Sequence, residues 1–209
     1  MEEYDEAVFD EFNNILENDG PVKILMTTQL KPPLKSYAFM RELMMVFHNV
    51  AYYPRRDMKL EEVYKYAKDL NFTHVMVLRF SNGWELLVRH LEGMLAVFKI
   101  TSVEFQKAIK HHAVATEHIP ELILNNFDSK VGVRVGRLLA SLFPQQPEFR
   151  GRRVVTFHNQ RDFIFFRHHR YIFREGYEGV DMQEIGPRFT LRIKKVFAGD
   201  EEKVKGVEF

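Results

Sequence analysis

Apolar residues recur with two different periods along this chain, and each change of period marks an element. Tyr4, Val8, Phe12 and Ile15 are spaced as on one face of a helix with carboxylates between them, and Asn18-Asp19-Gly20-Pro21 ends the pattern. Residues 22–27 form a short β-like run, Lys31-Pro32-Pro33 a loop, and Ser36 a cap for a helix to about residue 48. That helix is apolar almost all round. Tyr37, Met40, Leu43, Met44 and Phe47 share a face while Phe39, Met45 and Val46 lie elsewhere, so it is either sandwiched in the core or docked on a partner. Leu60, Val63, Tyr64, Ala67 and Leu70 predict an ordinary surface helix. Residues 74–80 and 84–89, separated by Asn82-Gly83, predict a hairpin with a type I′ turn. A further strand over 94–101 and a short helix over 103–110 complete this part.

After His118-Ile119-Pro120 the order of elements begins again. Residues 121–127 read as a strand, Asp128 or Ser129 caps a helix to residue 143, and 152–158, 163–173 and 189–197 follow as strands. The repeat of strand, helix and three strands implies an α/β protein of two pseudo-repeated halves, each a small mixed sheet with helices. The expected divisions are an acidic N-terminal helix over 1–20, an N-terminal half over 21–117, a C-terminal half over 118–198 and a polar tail over 199–209. On the second-half helix, Val131, Val135, Leu138, Leu139 and Leu142 make an apolar stripe, and Arg134 and Arg137 project from another face. Gly132 and Gly136 suggest close packing on a neighbouring strand.

Charge changes the picture. The formal net charge is +1, yet residues 1–20 hold eight carboxylates and no Lys or Arg, which leaves 21 of the 29 carboxylates to face all 30 Lys and Arg elsewhere. Residues 150–174 contain seven arginines against Asp162 alone, interleaved with Phe157, Phe163, Phe165, Phe166, Tyr171 and Phe173. Arginine among aromatics is what a surface needs to pair with phosphates and stack on unpaired bases. As a strand, 163–173 places arginine or histidine on both faces between Arg167 and Arg170. Unpaired buried charge costs several kcal/mol, so this strand must protrude, bulge or meet an anion. An edge strand defended by charge is the bland alternative.

Other chemistries find little support. No apolar run exceeds five residues, which predicts a soluble chain without a membrane span, and the absence of cysteine excludes disulfides, thiolate zinc sites and cysteine nucleophiles. None of the nine histidines has a recognised metal-ligand spacing, and no nucleophile elbow, Walker lysine loop or dinucleotide-binding turn is present. The expectation is a protein that is not an enzyme, with no metal and no cofactor.

Several long stretches carry a family resemblance. Glu121-Leu122-Ile123-Leu124-Asn125-Asn126-Phe127, Val135-Gly136-Arg137, Leu142-Phe143-Pro144, the run from Phe149 to Tyr171, and Glu184-Ile185-Gly186-Pro187-Arg188-Phe189-Thr190-Leu191 closely resemble the Brix domain. The match is dense over 117–197 and looser over 22–110. The resemblance implies a non-enzymatic factor in assembly of the large (60S) ribosomal subunit, acting in the nucleus and nucleolus on precursor rRNA. It also implies a fold similar to the anticodon-binding domain of class IIa aminoacyl-tRNA synthetases. Its expected partners are precursor rRNA of the large subunit, a maintenance-of-killer type assembly factor and other pre-60S proteins, without membrane or small-molecule substrate.

The candidate RNA-binding residues are Arg150, Arg152, Arg153, Arg161, Arg167, His168, His169, Arg170, Tyr171, Arg174 and Arg188, with Tyr171 the aromatic expected at the surface and the phenylalanines expected mainly in the core. A secondary set comprises Lys31, Lys35, Arg55, Arg56, Arg134 and Arg137. The rival reading is a protein adaptor that docks its partner through the over-apolar helix, at Phe39, Met44, Met45 and Val46, or through an exposed strand edge, with RNA merely nearby. The acidic first helix either packs over the core or lies detachably on the basic ribbon.

Overall fold

The computed structural model describes residues 11–174, 176 and 179–197. The helices are α1 (Asn13–Leu16), α2 (Leu34–Met44), α3 (Leu60–Asp69) and α4 (Lys130–Ala140). The first strands are β1 (Ile24–Thr28), β2 (Val50–Tyr52), β3 (His74–Phe80), β4 (Trp84–His90) and β5 (Leu95–Glu104). The second set is β6 (Glu121–Asn125), β7 (Arg153–Gln160), β8 (Phe163–Phe173), β9 (Val180–Glu184) and β10 (Arg188–Phe197).

The strands form one ten-stranded sheet in the order β2-β1-β3-β4-β5-β10-β8-β7-β6, with β9 on the far part of β8. The repeat read from element order is visible in the pairing. β1 lies parallel to β3, which runs antiparallel to β4, and β4 antiparallel to β5. β6 is likewise parallel to β7, β7 antiparallel to β8, and β8 antiparallel to β10. The two sets fuse where β5 pairs antiparallel with β10.

One sheet face backs onto a core built with α1, α2 and α4, where Phe12, Phe39, Leu43, Leu138, Phe143, Phe166 and Phe189 are buried. The other face is covered by α3 across β1, β3, β4 and β5, through Val63, Tyr64 and Ala67 against Leu25, Val77 and Leu87. Buried polar side chains join the two sets. His74 of β3 shares a 2.9 Å hydrogen bond with Ser141, which caps the C-terminus of α4. Arg153 of β7 donates to Met45 O at 2.7 Å, just beyond α2.

Several local expectations change. Helix α2 begins after Pro33, whose fixed φ pre-organises the entry, and Ser36 is buried within it rather than capping it. Phe80 pairs with Trp84, so the loop holds three residues and only Gly83 takes positive φ there. The positive-φ pair that a type I′ turn requires occurs instead at Arg161 (φ 50°) and Asp162 (φ 66°), between paired Gln160 and Phe163. The helix expected over 103–110 shrinks to a 3-10 turn at Gln106–Ala108, because β5 runs on to Glu104. Ser129 caps α4 as expected, its Oγ accepting from the Gly132 amide. Gly136 lies against the Phe127 ring rather than a strand. Strands β2 and β9 go unread in the sequence, because both are short and neither has the alternation of buried and exposed residues that marks a strand. The polar tail expected over 199–209 and the first part of the acidic helix lie outside the described residues.

Candidate nucleic-acid interface

Strands β7 and β8 make the expected ribbon, closed by the tight turn at Arg161 and Asp162. Alternation sends Val155, Phe157, Ile164 and Phe166 into the core. The cross-strand pairs Thr156 with Arg167, His158 with Phe165, and Gln160 with Phe163 occupy the opposite face. This face lacks the cover that α3 gives the other strands: Phe163 is 39% and Ile123, paired with Thr156, 42% exposed, while Thr156, His158, Phe165 and Arg167 are half-buried. Arg192 of β10 lies opposite Phe163, its guanidinium carbon 5.5 Å from the ring centroid, and Lys99 of β5 lies opposite Arg192. Open aromatic rings among cations can stack on bases and hold phosphates at once.

The named arginines separate by environment. Arg150, Arg152, Arg161 and Arg170 are exposed and make no ion pair among the described residues. Arg167 is half-buried and donates to Phe166 O at 2.7 Å. Arg174 bonds Asp181, with Nε donating at 2.8 Å. Arg188 grips Glu184 through two donors, at 2.9 and 2.5 Å, and lies 3.4 Å from Glu104. Their charge is already matched by the protein itself. Arg134 pairs with Glu11 at 2.8 Å, and Arg137 donates to Asn13 Oδ1 at 2.6 Å and lies 3.8 Å from Glu17, so two carboxylates of the described part of the N-terminal segment face α4.

Arg153 and His168 are corrections to the RNA-binding set, because both are buried. The Arg153 guanidinium donates to the carbonyls of Thr116, His118, Met45 and Val46, and its Nε donates to His168 Nε2 at 3.2 Å. Burial lowers Arg153 to about 10. Burial, and then the Arg153 charge, push the His168 imidazole down to about 3, so it is neutral near pH 7. A neutral ring that accepts at Nε2 carries its proton on Nδ1, which donates to Gly186 O at 3.0 Å. His169 is half-buried, lowered by burial with Glu184 opposing the shift. Tyr171 is half-buried too, its hydroxyl donating to the Glu121 carboxylate, which raises its pKa to about 12. Phe163 and Phe173 are the more exposed rings of the ribbon.

In the secondary set, Lys35 Nζ sits 3.3 Å from the Phe80 ring centroid, Lys31 and Arg56 are exposed, and Arg55 is half-buried with Nε donating to Met58 O at 2.9 Å. The partner-binding set is also revised. Phe39 and Val46 are core and Met44 is half-buried against it, which leaves Met45 alone at the surface. The outer face of α2 instead presents Leu34, 88% exposed, and Tyr37. The open-face residues Thr156, His158, Ile123, Lys99 and Arg192 were missed by sequence reasoning. Alternation along β7 and β8 signals such a face, but only the uncovered sheet shows that it stays open. Among the described residues no helix is long and apolar enough to cross a membrane, and no group of three or more His, Asp or Glu is placed to hold a metal.

A family model for the Brix domain matches residues 30–195. The chain is 44% identical over 202 residues to ribosome production factor 1 of Pongo abelii, covering 94% of this chain and 57% of that protein. It is 40% identical over 192 residues to ribosome production factor 1 of Saccharomyces cerevisiae, covering 90% and 65% respectively. The chain therefore spans somewhat over half the length of these curated relatives. Among solved structures, a probable ribosomal biogenesis protein from Aeropyrum pernix K1 superposes with a TM-score of 0.62 at 16% identity, covering 86% of this chain and 100% of that one. An archaeal Imp4-like protein superposes with a TM-score of 0.51 at 16% identity, covering 84% and 99%. These two likenesses are of fold.

Proposed function

The chain belongs to the Brix domain family, and from that premise we propose that it is a ribosome biogenesis factor acting as a non-catalytic RNA scaffold. Its relatives named ribosome production factor 1 support the process. In this reading it works in the nucleolus on precursor rRNA of the large subunit, with residues 21–117 and 118–198 as the two halves of one Brix domain. The observation that carries the RNA reading is the open sheet face of β7, β8 and β10, which holds Arg167 and Arg192, together with exposed arginines elsewhere along the ribbon that no described carboxylate neutralises. Phosphates meet Arg150, Arg152, Arg161 and Arg170, while Phe163 and Phe165 offer rings to unpaired bases.

A salt titration of single-stranded RNA binding tests it. Clamping Z phosphates gives a log-log slope near −0.7Z. A slope near zero, or one unchanged when the four free arginines become glutamine, removes the ribbon as the clamp. A second role is favoured by the outer face of α2, where Leu34, Tyr37 and Met45 are exposed together. This stripe is the docking surface for a partner assembly factor of the maintenance-of-killer type, compatible with RNA binding elsewhere. Leu34→Asp, at a solvent-exposed site, should abolish co-purification of that partner while leaving the fold intact.

A further inference from the structure

A cavity of about 300 Å³ opens at the carboxyl ends of β1 and β2, remote in sequence from the ribbon. In open α/β sheets this is where ligands sit, because crossovers leaving over opposite faces part the chain there. Here α2 packs with the core on one sheet face and α3 covers the other. Leu25 and Thr27 of β1 form the floor, Tyr53, Met58 and Tyr66 wall it, and Arg55 and Arg56 line its polar side.

Three features point to a ligand with a flat ring and an adjacent negative charge. The Tyr53 and Tyr66 rings meet at 71° with centroids 5.6 Å apart, and both are partly exposed. Thr27 is 1% exposed and its Oγ1 finds no hydrogen-bond partner among the described residues. Buried hydroxyls are rarely left so, and a ligand donor or acceptor would satisfy it. Arg55 and Arg56 make no ion pair among the described residues, and burial already lowers the Arg55 pKa.

We propose that this cavity binds a nucleotide, its base against the Tyr53 and Tyr66 rings, its edge reached by Thr27 and its phosphate held by Arg55 and Arg56. The source is an unpaired residue of the bound RNA, so the proposal rests on the RNA reading and deepens it at a place separate from the open face.

The test uses the full chain with two probes: a short uridine-rich single-stranded RNA, and a mixture of the four nucleoside 5′-monophosphates. Ultraviolet crosslinking followed by peptide mass spectrometry should place RNA crosslinks on Tyr53 or Tyr66. Tyr66→Ala and Arg55→Gln, both at solvent-accessible positions, should each weaken RNA binding by roughly five- to fifty-fold, the worth of one stacked base or one held phosphate. Thr27→Val, nearly isosteric, should weaken it while leaving the thermal midpoint unchanged. Wild-type affinity in all three variants, with crosslinks confined to the ribbon, overturns the cavity and leaves the RNA reading standing. Monophosphate-induced amide shifts at Tyr53 and Tyr66 in a chain that binds no RNA keep the cavity as a nucleotide site and remove the RNA source.

Discussion

Arg153 Nε donates to His168 Nε2 across neighbouring strands, 3.2 Å apart and both buried. The rest of the guanidinium collects carbonyls from the end of α2 and from the segment leading into β6. One arginine side chain thus fastens three pieces of chain: β8, the end of α2 and the segment before β6. Its position inside the most basic stretch of the protein hides this role, since adjacent arginines have opposite fates: Arg152 takes a left-handed φ of 48° and is exposed, while Arg153 is buried.

Replacing Arg153 with methionine keeps most of the volume but leaves four carbonyls and a ring nitrogen without their donor. Leaving a buried acceptor without its donor costs about 1–3 kcal/mol, and with several stranded at once, at about 2–4 °C per kcal/mol for a chain of this size, the thermal midpoint should fall by roughly 10 °C. Circular dichroism melts check this. A midpoint within a degree or two of wild type would mean the carbonyls are served by water.

The buried histidines make the fold acid-sensitive. His168 is lowered to about 3 and His74 is held well below its ordinary value, both chiefly by burial. Unfolded imidazoles protonate near ~6.5, so below that pH the unfolded chain binds protons that the folded chain refuses. Stability from this source is whole above about pH 6.5 and declines as the pH falls toward the folded value for His168. The limiting decline is ~1.4 kcal/mol per pH unit for each histidine. Urea midpoints followed from neutral to mildly acid pH should decrease accordingly. His168→Gln retains an acceptor for Arg153 and should show a shallower dependence.

The salt dependence of RNA binding should distinguish free from matched arginines. Changing Arg150, Arg152, Arg161 and Arg170 to glutamine should reduce the log-log slope by ~0.7 for each phosphate no longer held. Changing Arg174 and Arg188, which Asp181 and Glu184 already hold, should alter it far less. Equal effects from both sets would show that the internal pairs open on binding.

The described end of the acidic N-terminal segment packs into the core. Phe12 and Ile15 are buried, and Phe12 meets the His90 ring edge-on at 5.3 Å. Phe12→Ala should destabilise the fold by about 3–5 kcal/mol, as other fully buried phenylalanines do. Deleting residues 1–18 should therefore lower the melting temperature more than it changes RNA affinity. A stable deletion variant that binds RNA more tightly would restore the detachable-helix reading.

Gly151 tests backbone packing. A Cβ added there would run into the His118 side chain, whose backbone carbonyl accepts from Arg153. Gly151→Ala should lower the melting temperature without altering the salt slope, since it disturbs the support and leaves the exposed cations in place. An unchanged melting temperature would show that His118 swings clear at no cost.

Hydrophobic period, helix caps and turn residues act over a few neighbours, so the order of residues along the chain is enough to specify most local elements and their repetition. The long ribbon, the Ser129 cap and the split between an acidic start and a basic remainder are all legible in that way. Which charges are free is settled only by packing. Whether Arg153 is buried, Arg188 matched or Arg170 open depends on carbonyls and carboxylates far away in sequence. The same holds for the sheet faces. Alternation says that Phe163 and Phe165 face one way, but α3 covers that face across the first strands and leaves it open at β7 and β8, and no local pattern encodes where a helix comes to rest.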